Sequence, residues 1–342
     1  MMRFFRALLV AILTGSLAVT ACKDEIVQPK VKKETGWSAL PLEISDRKVQ
    51  CIAIHPDQPA TLYAGLFDGL YKSTDSGANW HAITTGLLSR DIKSVEIVAD
   101  QPQIVYCGST GFGLSRSEDG GESWSNMKGK VANTLVNKVH LVGQRDAVIW
   151  LATATGIYRK ASNEADWTNT FLNSRLCQTV TSLPGDAKTL VSGLLYTGFA
   201  RTTNDGGRWY YVNNGVAGSG SFYDSAIQFG FAGADSSLLY AVTVDGACYE
   251  SGDGGQTWQH KYYIAGNDST IAMVTHPKLR DRLYLAQRHR VFRSTDRGAH
   301  WSEMSLRMPQ VTVTALQVAN GDPGVVYIGT AEDGIYHYSE TH

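Results

Sequence analysis

An all-β fold, a seven-bladed β-propeller of four-stranded blades whose last blade is closed by the N-terminal strand, is what this 342-residue sequence predicts. Three observations predict it. A short motif recurs about every 43 residues, short apolar strand-like runs stand at fixed offsets from it, and a series of tryptophans closes on itself. Composition agrees. Glycine supplies 34 residues, about a tenth of the chain against a usual 7% or so, as a chain full of turns requires, and 43% hydrophobic residues suffice for a core. Lys+Arg 31 against Asp+Glu 32 leaves no chain-wide basic field, so no nucleic-acid partner is expected.

In chain order, residues 1–21 carry Arg3 and Arg6, then an apolar run over 7–13, then small residues up to Cys22. The run is too short for a bilayer about 30 Å thick, so it reads as a signal peptide. Val19-Thr20-Ala21-Cys22 resembles a bacterial lipobox, which implies cleavage before Cys22 and lipidation of its thiol. The other reading is an ordinary secretory signal with a cysteine near its cleavage site. Residues 22–36 follow as lipidated Cys and a polar, flexible tether. Lys23 after the lipidated Cys favours the outer membrane if the cell has one. The expected location is the cell envelope, with the chain membrane-anchored, and residues 37–342 form a single propeller.

Six segments share the frame Ser-x-Asp-x-Gly-x-x-Trp to varying degree. Those at 73–80, 117–124, 251–258 and 294–301 keep every key position. The segment at 202–209 substitutes Thr202 and Asn204, whereas that at 160–167 keeps only Trp167. Asp75, Asp119, Asp253 and Asp296 are read as structural, each accepting backbone N–H groups in a strand-to-strand turn. Glycine there tolerates a left-handed backbone, and Trp80, Trp124, Trp209, Trp258 and Trp301 pack on neighbouring sheet. The frame resembles the Asp-box, or BNR repeat, of sialidases, sortilin-type receptors, xyloglucan-degrading enzymes and photosystem II stability/assembly factors.

Each frame sits in a longer unit. Second strands are expected at 61–65, 104–108, 148–152, 189–193, 238–242, 283–286 and 325–329. Third strands follow at 69–73, 113–117, 156–160, 198–202, 246–251, 290–294 and 334–338. Trp150 falls at the second-strand aromatic position of Tyr63 and Tyr106 and is core. The other seven, Trp37, Trp80, Trp124, Trp167, Trp209, Trp258 and Trp301, are separated by 43, 44, 43, 42, 49 and 43 residues. The unit at 311–338 therefore has three strands, and residues 37–42 supply its fourth, which removes the open edges of an unclosed array.

A ligand usually meets a propeller on the loops between second and third strands and those joining blades, opposite the Asp-box turns. Within blades that face carries Phe67, Asp68, Phe112, Tyr196, Asp245, Arg288, Arg290, Glu332 and Asp333. The joining loops carry Arg90, Lys93, Lys128, Lys130, Arg175 and Arg307. The insert at 213–224 ends in Tyr223 and Asp224 and is either an arm presenting aromatics or a tolerated insertion. Arginines on several blades suit a carboxylate, phosphate or acidic peptide, although acids share the loops.

Enzyme signatures are few. The Arg-Ile-Pro segment of sialidases is missing, Arg47-Lys48-Val49-Gln50 standing near its place, and there is no nucleophile elbow, P-loop or dinucleotide motif. Asp68, Asp224, Asp245 and Asp333 are the acids a glycoside hydrolase would draw on. Histidines lack ligand spacing, so neither metal nor cofactor is expected. His55 and His276 precede proline in equivalent turns and read as repeat structure. Cys51, Cys107, Cys177 and Cys248 form no CxxC pair. They are read as free buried thiols, with a disulfide open in an exported protein.

Resemblance to the photosystem II assembly factors spans nearly the whole chain after the leader and implies a non-catalytic scaffold that binds a protein partner, expected as a monomer. The alternative is a sialidase-like glycoside hydrolase or glycan-binding protein.

Overall fold

The computed structural model describes residues 36–41, 48–143, 148–170, 175–216, 226–231, 237–243, 247–261, 270–279, 281–304, 311–321 and 324–339. Among them lie 28 strands and no helix. After β1 (Ser38–Leu40), blade 1 holds β2 (Val49–Ile54), β3 (Leu62–Leu66), β4 (Leu70–Ser73) and β5 (His81–Ala82). Blade 2 holds β6 (Ile92–Ile97), β7 (Val105–Ser109), β8 (Gly113–Ser117) and β9 (Ser125–Asn126). Blade 3 holds β10 (Val136–Val142), β11 (Val148–Thr153), β12 (Gly156–Ala161) and β13 (Thr168–Asn169). Blade 4 holds β14 (Cys177–Leu183), β15 (Asp186–Leu194), β16 (Gly198–Thr202) and β17 (Tyr210–Tyr211). Blade 5 holds β18 (Ala226–Phe231), β19 (Leu239–Thr243), β20 (Cys248–Ser251) and β21 (Gln259–Lys261). Blade 6 holds β22 (Thr270–Thr275), β23 (Leu283–Gln287), β24 (Val291–Ser294) and β25 (Ser302–Glu303). Blade 7 holds β26 (Val313–Val318), β27 (Val325–Thr330), β28 (Ile335–Ser339) and, as its outer strand, β1.

Every blade is an antiparallel meander, and the seventh is closed as the tryptophan spacing requires. Ser38, Ala39 and Leu40 pair with His337, Tyr336 and Ile335. Trp37 donates its indole N–H to the Met304 carbonyl of blade 6 at 2.7 Å and packs on Tyr338 at 5.5 Å between ring centroids.

The core is divided among the joints. Among the described residues seven apolar clusters are found, each shared by two neighbouring blades. Close approach at a joint is set by the residue two places after the second-strand position held by Tyr63, Tyr106 and Tyr327, and by Val191 in blade 4. Gly65, Gly108, Gly193 and Gly329 hold that place in blades 1, 2, 4 and 7, and each abuts the first residue of the next inner strand: Ile92, Val136, Ala226 and Val49. Large buried side chains fill the rest, including Trp150, Trp167 and Tyr63, at about 1.5–3 kcal/mol each.

The Ser-x-Asp-x-Gly-x-x-Trp turns link third to fourth strands as expected. In the first, Ser73 Oγ donates to Asp75 Oδ1 at 2.8 Å and accepts from the Gly77 amide at 2.8 Å, while Asp75 Oδ1 accepts from the Asn79 amide at 2.8 Å. The turns at Asp119, Asp253 and Asp296 repeat this, and Thr202 with Asn204 reproduces it. The degenerate copy is rebuilt differently: the Glu164 carboxylate accepts from the Ala161 amide and pairs with Arg159.

Two features escape the sequence reading. The residue between Asp and Gly in these turns is left-handed whatever its type, Ser76 at φ 62°, Asp205 at 55° and Arg297 at 59°. That twist turns its carbonyl toward the preceding blade: Tyr63 donates to Gly120 O at 2.9 Å, Tyr240 to Arg297 O at 3.0 Å and Arg201 to Gly254 O at 2.8 Å. The turns are thus clasps between blades. His55 and His276 are local structure, each accepting two backbone amides on Nδ1.

The clasps give a pH dependence. Hydrogen bonds from Asn79, Ser123 and His300, and from the turn serines, hold the Asp75, Asp119 and Asp296 carboxyls down to about 2, against 3.8 ordinarily. Between those values the unfolded chain binds more protons, so this stabilisation is complete above pH 3.8 and is lost as pH falls through about 2. A series of urea midpoints from neutral pH to pH 2 should fall steeply at the acid end. With asparagine at all three positions the fall should be shallower, and an unchanged slope would count against the clasps.

Candidate functional site

Strand direction fixes two ends of the ring. In each blade the first strand runs toward the turn that meets the motif turn, as where the Ser76 amide donates to Ala60 O at 2.8 Å. The loops between second and third strands and those joining blades lie at the other end, as expected. There the inner strands begin, and all seven begin alike. Each has a register shift at its second residue: Gln50, Lys93, Asn137, Gln178, Ile227, Ile271 and Thr314. Such a bulge re-aims one side chain at a barrel rim.

All seven bulge residues line a central channel of about 710 Å³. Blades 1 to 4 give the mouth amides and an ammonium, whereas blades 5 and 6 give two isoleucines. The sequence holds a signal for these bulges that was missed, since buried residues recur three apart (Ile92 and Val95, Val136 and Val139, Cys177 and Val180) where an unbroken strand would space them by two.

Polar groups in the channel are extensively paired. Lys93, expected in a joining loop, lies in β6, where its Nζ is 3.0 Å from Asp91 and 2.5 Å from Gln50 Oε1, while Gln50 Nε2 donates to Asp91 at 2.8 Å. Burial opposes ionisation of Asp91, but these hydrogen bonds and the Lys93 charge outweigh it and hold its carboxyl below the ordinary value. Lys138 is 3.5 Å from Glu96. His140 Nε2 accepts from the Ser182 amide at 2.9 Å, and burial together with the Lys138 charge lowers its pKa well below 6.5. Among the described residues no group of three or more His, Cys, Asp or Glu is placed to hold a metal ion.

On the rim, Phe67, Phe112 and Tyr196 are 54%, 43% and 56% exposed, on blades 1, 2 and 4. Leu88, 58% exposed, joins them from the loop between blades 1 and 2. Arg90 and Arg175 are exposed, each two residues before an inner strand, and Lys128 and Lys130 are exposed between blades 2 and 3. Arg288 is exposed on blade 6, while Arg290 lies over the Phe292 ring at 5.2 Å. The arginines therefore occupy separate sectors of the ring. Asp68 accepts from the Tyr71 hydroxyl at 3.2 Å, and Glu332 and Asp333 are exposed on blade 7. Cys22, Tyr223, Asp224, Asp245 and Arg307 lie outside the described residues. The four described cysteines are free, and Cys51 and Cys107 share the core between blades 1 and 2 although they belong to different repeats.

Tyr196 has φ 65°, a left-handed conformation unfavourable for a bulky side chain. Glycine there should raise stability by about 0.5–1 kcal/mol, the relieved left-handed strain less the larger unfolded-state entropy of glycine, measured as a higher urea midpoint, while a lower midpoint would show that the ring packs usefully.

No protein-family model and no curated protein sequence matches the chain. Solved structures do. A YCF48 bound to a D1 peptide is 16% identical with a TM-score of 0.68, over 90% of this chain and 97% of that one. YCF48 from Cyanidioschyzon merolae is 13% identical with a TM-score of 0.63, over 89% and 98%. A GH74 xyloglucanase from Xanthomonas campestris is 14% identical with a TM-score of 0.69, over 88% of this chain and 53% of that one. The chain shares their fold.

Proposed function

We propose that this chain is a non-catalytic binding propeller of the cell envelope, built on Asp-box repeats, tethered through lipid on Cys22, and engaging a protein partner on the rim opposite its motif turns. The observation that carries the reading is the exposure of Phe67, Phe112 and Tyr196 beside Arg90 and Arg175 on that one rim. Large apolar and guanidinium groups held in solvent are the side chains on which binding energy concentrates in protein interfaces. Likeness to YCF48 over almost the full length of both chains supports the scaffold reading, since one such structure has a peptide bound.

The test is affinity recovery of the full-length protein from cross-linked envelopes, set beside a Phe67→Ser/Phe112→Ser variant. A stoichiometric protein partner recovered with the parent and lost with the variant is expected. No partner with either, or equal recovery with both, would overturn the proposal.

A further inference from the structure

Two histidines stand at the joints of the blade that closes the ring. His276, 1% exposed, ends the inner strand of blade 6 at the motif-turn end, and its Nδ1 accepts the Lys278 and Leu279 amides at 3.2 and 3.0 Å. With that lone pair occupied the ring proton sits on Nε2, which donates to the Gly321 carbonyl of blade 7 at 2.8 Å. The joint is tight here, since a Cβ on Gly324 would stand 2.7 Å from the same Nε2. A second proton has one place to go, Nδ1, where it would displace both amides. His276 therefore joins blades 6 and 7 only while it is neutral. The charged groups around it are Lys278 and Arg282 of its own turn and Asp281, which Arg297 engages, whereas Asp322 of the facing turn lies outside the described residues.

The joint between blades 7 and 1 holds the other. At the third-strand position that pairs with Tyr63 in blade 1 and with its equivalents elsewhere, five blades carry a fixed cation, Lys72, Arg116, Arg159, Arg201 or Arg293, and blade 5 carries Glu250. Lys72 and Arg159 reach across their joints to Glu122 and Asp205 in the next motif turns. In blade 7 that position is His337, which pairs with Tyr327 and stacks on its ring at 6.2 Å. On its other side it pairs with Ser38 of the closing strand. The facing motif turn is that of blade 1, where Ser76 hydrogen-bonds the Tyr327 hydroxyl and the Asp75 carboxylate is taken up by Ser73 and Asn79. Among the described residues no charged group acts on the imidazole, and burial lowers its pKa from 6.5.

We infer that blade 7 is an acid-sensitive latch: proton uptake at His276 and His337 loosens both of its joints, and the closing strand with them, while blades without such histidines stay formed. Blade 7 is also the one blade whose strands are not contiguous in the chain, its outer strand being held by three residue pairs and the Trp37 bond to blade 6. A histidine held neutral in the closed ring takes up a proton when its joint opens. The hold is therefore complete above pH 6.5 and weakens about tenfold per pH unit per histidine below it, until the closed form itself titrates. The other described histidines differ. His55 makes the same two Nδ1 bonds but crosses to no other blade among the described residues. His289 donates Nδ1–H to the Val311 carbonyl and His300 pairs with Asp296, so a second proton costs neither its bond. His140 accepts the Ser182 amide between blades 3 and 4, which gives that joint one such histidine, whereas blade 7 has one at each of its joints.

The test is hydrogen exchange of the full-length protein in detergent micelles, read by mass spectrometry at about pH 7.5 and about pH 5.5 and expressed as protection factors, so that the intrinsic pH dependence of exchange cancels. Protection over 313–318 and 335–339 in blade 7 should fall at least about tenfold, the effect of one histidine one pH unit below 6.5. Over 105–109 and 113–117 in blade 2 it should change less than about twofold. His276→Gln/His337→Gln, in which neutral amides replace the imidazoles, should remove the fall in blade 7. Where the double variant does not fold, His337→Gln alone should reduce that fall, and the contrast between blades in the parent is read without either variant. Asp322→Asn should leave the fall in place. Equal change in blades 2 and 7, no change in blade 7, a fall that persists in the folded double variant or is unaltered by His337→Gln, or one abolished by Asp322→Asn would overturn the inference.

Discussion

Replacing Gly193 by valine should destabilise the ring more than the same change at Gly65, Gly108 or Gly329, the other glycines that abut a neighbouring inner strand. A Cβ on Gly193 would stand 2.0 Å from the Ala226 carbonyl oxygen and 2.7 Å from its Cβ, so the obstacle is backbone of the next inner strand and cannot rotate away. Strands β15 and β18 would have to separate, opening the cluster of Val191, Phe199, Tyr249 and Trp258. The expected loss exceeds about 4 kcal/mol, at the extreme of single substitutions. It should appear as a lowered urea midpoint with an unaltered slope if the ring still unfolds as one unit. Blade 3 supplies the comparison, because Ala152 occupies the equivalent position fully buried, so that joint is built with room for a methyl group. A midpoint within experimental error of the parent would show that the joints yield and that the glycines are not spacers.

Deleting residues 36–40 should have the second large effect. Those residues supply the outer strand of blade 7, the Trp37 indole bond to Met304, and Leu40, which is buried against the turn at Gly77. Without them β28 presents an unpaired edge, and the joints of blade 7 with blades 6 and 1 lose apolar cover. The loss of Leu40 alone should cost about 2–5 kcal/mol, and the exposed edge should promote association. Size-exclusion chromatography and thermal unfolding of the deletion variant are expected to show oligomers and an early transition. A monomer with the parent's midpoint would mean that three strands suffice and that closure is not structural.

Much of this architecture is readable from local chemistry repeated at a fixed period. The motif turns depend on side chains within eight residues of one another, so Ser73, Asp75 and Gly77 announce their own hydrogen bonds. The tryptophan spacing carries the blade number and the closure by β1, because each indole marks the same step of the same unit. Less legible are features that depend on the neighbouring blade. The left-handed Ser76, Asp205 and Arg297 share no residue type, and at Arg297 it is the hydrogen bond from Tyr240 of the preceding blade that gives the twist a role. Glu164 replaces the lost Ser-Asp pair of blade 3 from a different position, which no match to the frame would find.

The candidate face is legible in part. Strand alternation places Phe67, Phe112 and Tyr196 in loops between second and third strands, and all three are exposed. The arginines are expected on several blades, and Arg90, Arg175 and Arg288 stand exposed on separate ones, whereas Arg290 lies on Phe292. Lys93 moved from loop to strand because the bulge begins β6 two residues after Arg90. A bulge is visible only as a break in two-residue periodicity, and here that break recurs in every blade.

On the proposed function, partner binding belongs to the rim and not to the motif turns. A photo-reactive phenylalanine analogue placed at Phe112, on the rim of blade 2, and separately at Ser123, in the motif turn of the same blade, puts the two ends of one blade in direct competition. Irradiated in intact cells, the probe at position 112 should give a discrete protein adduct and the probe at 123 should give none. An adduct at 123, or equal adducts at both, would contradict the assignment of the binding face.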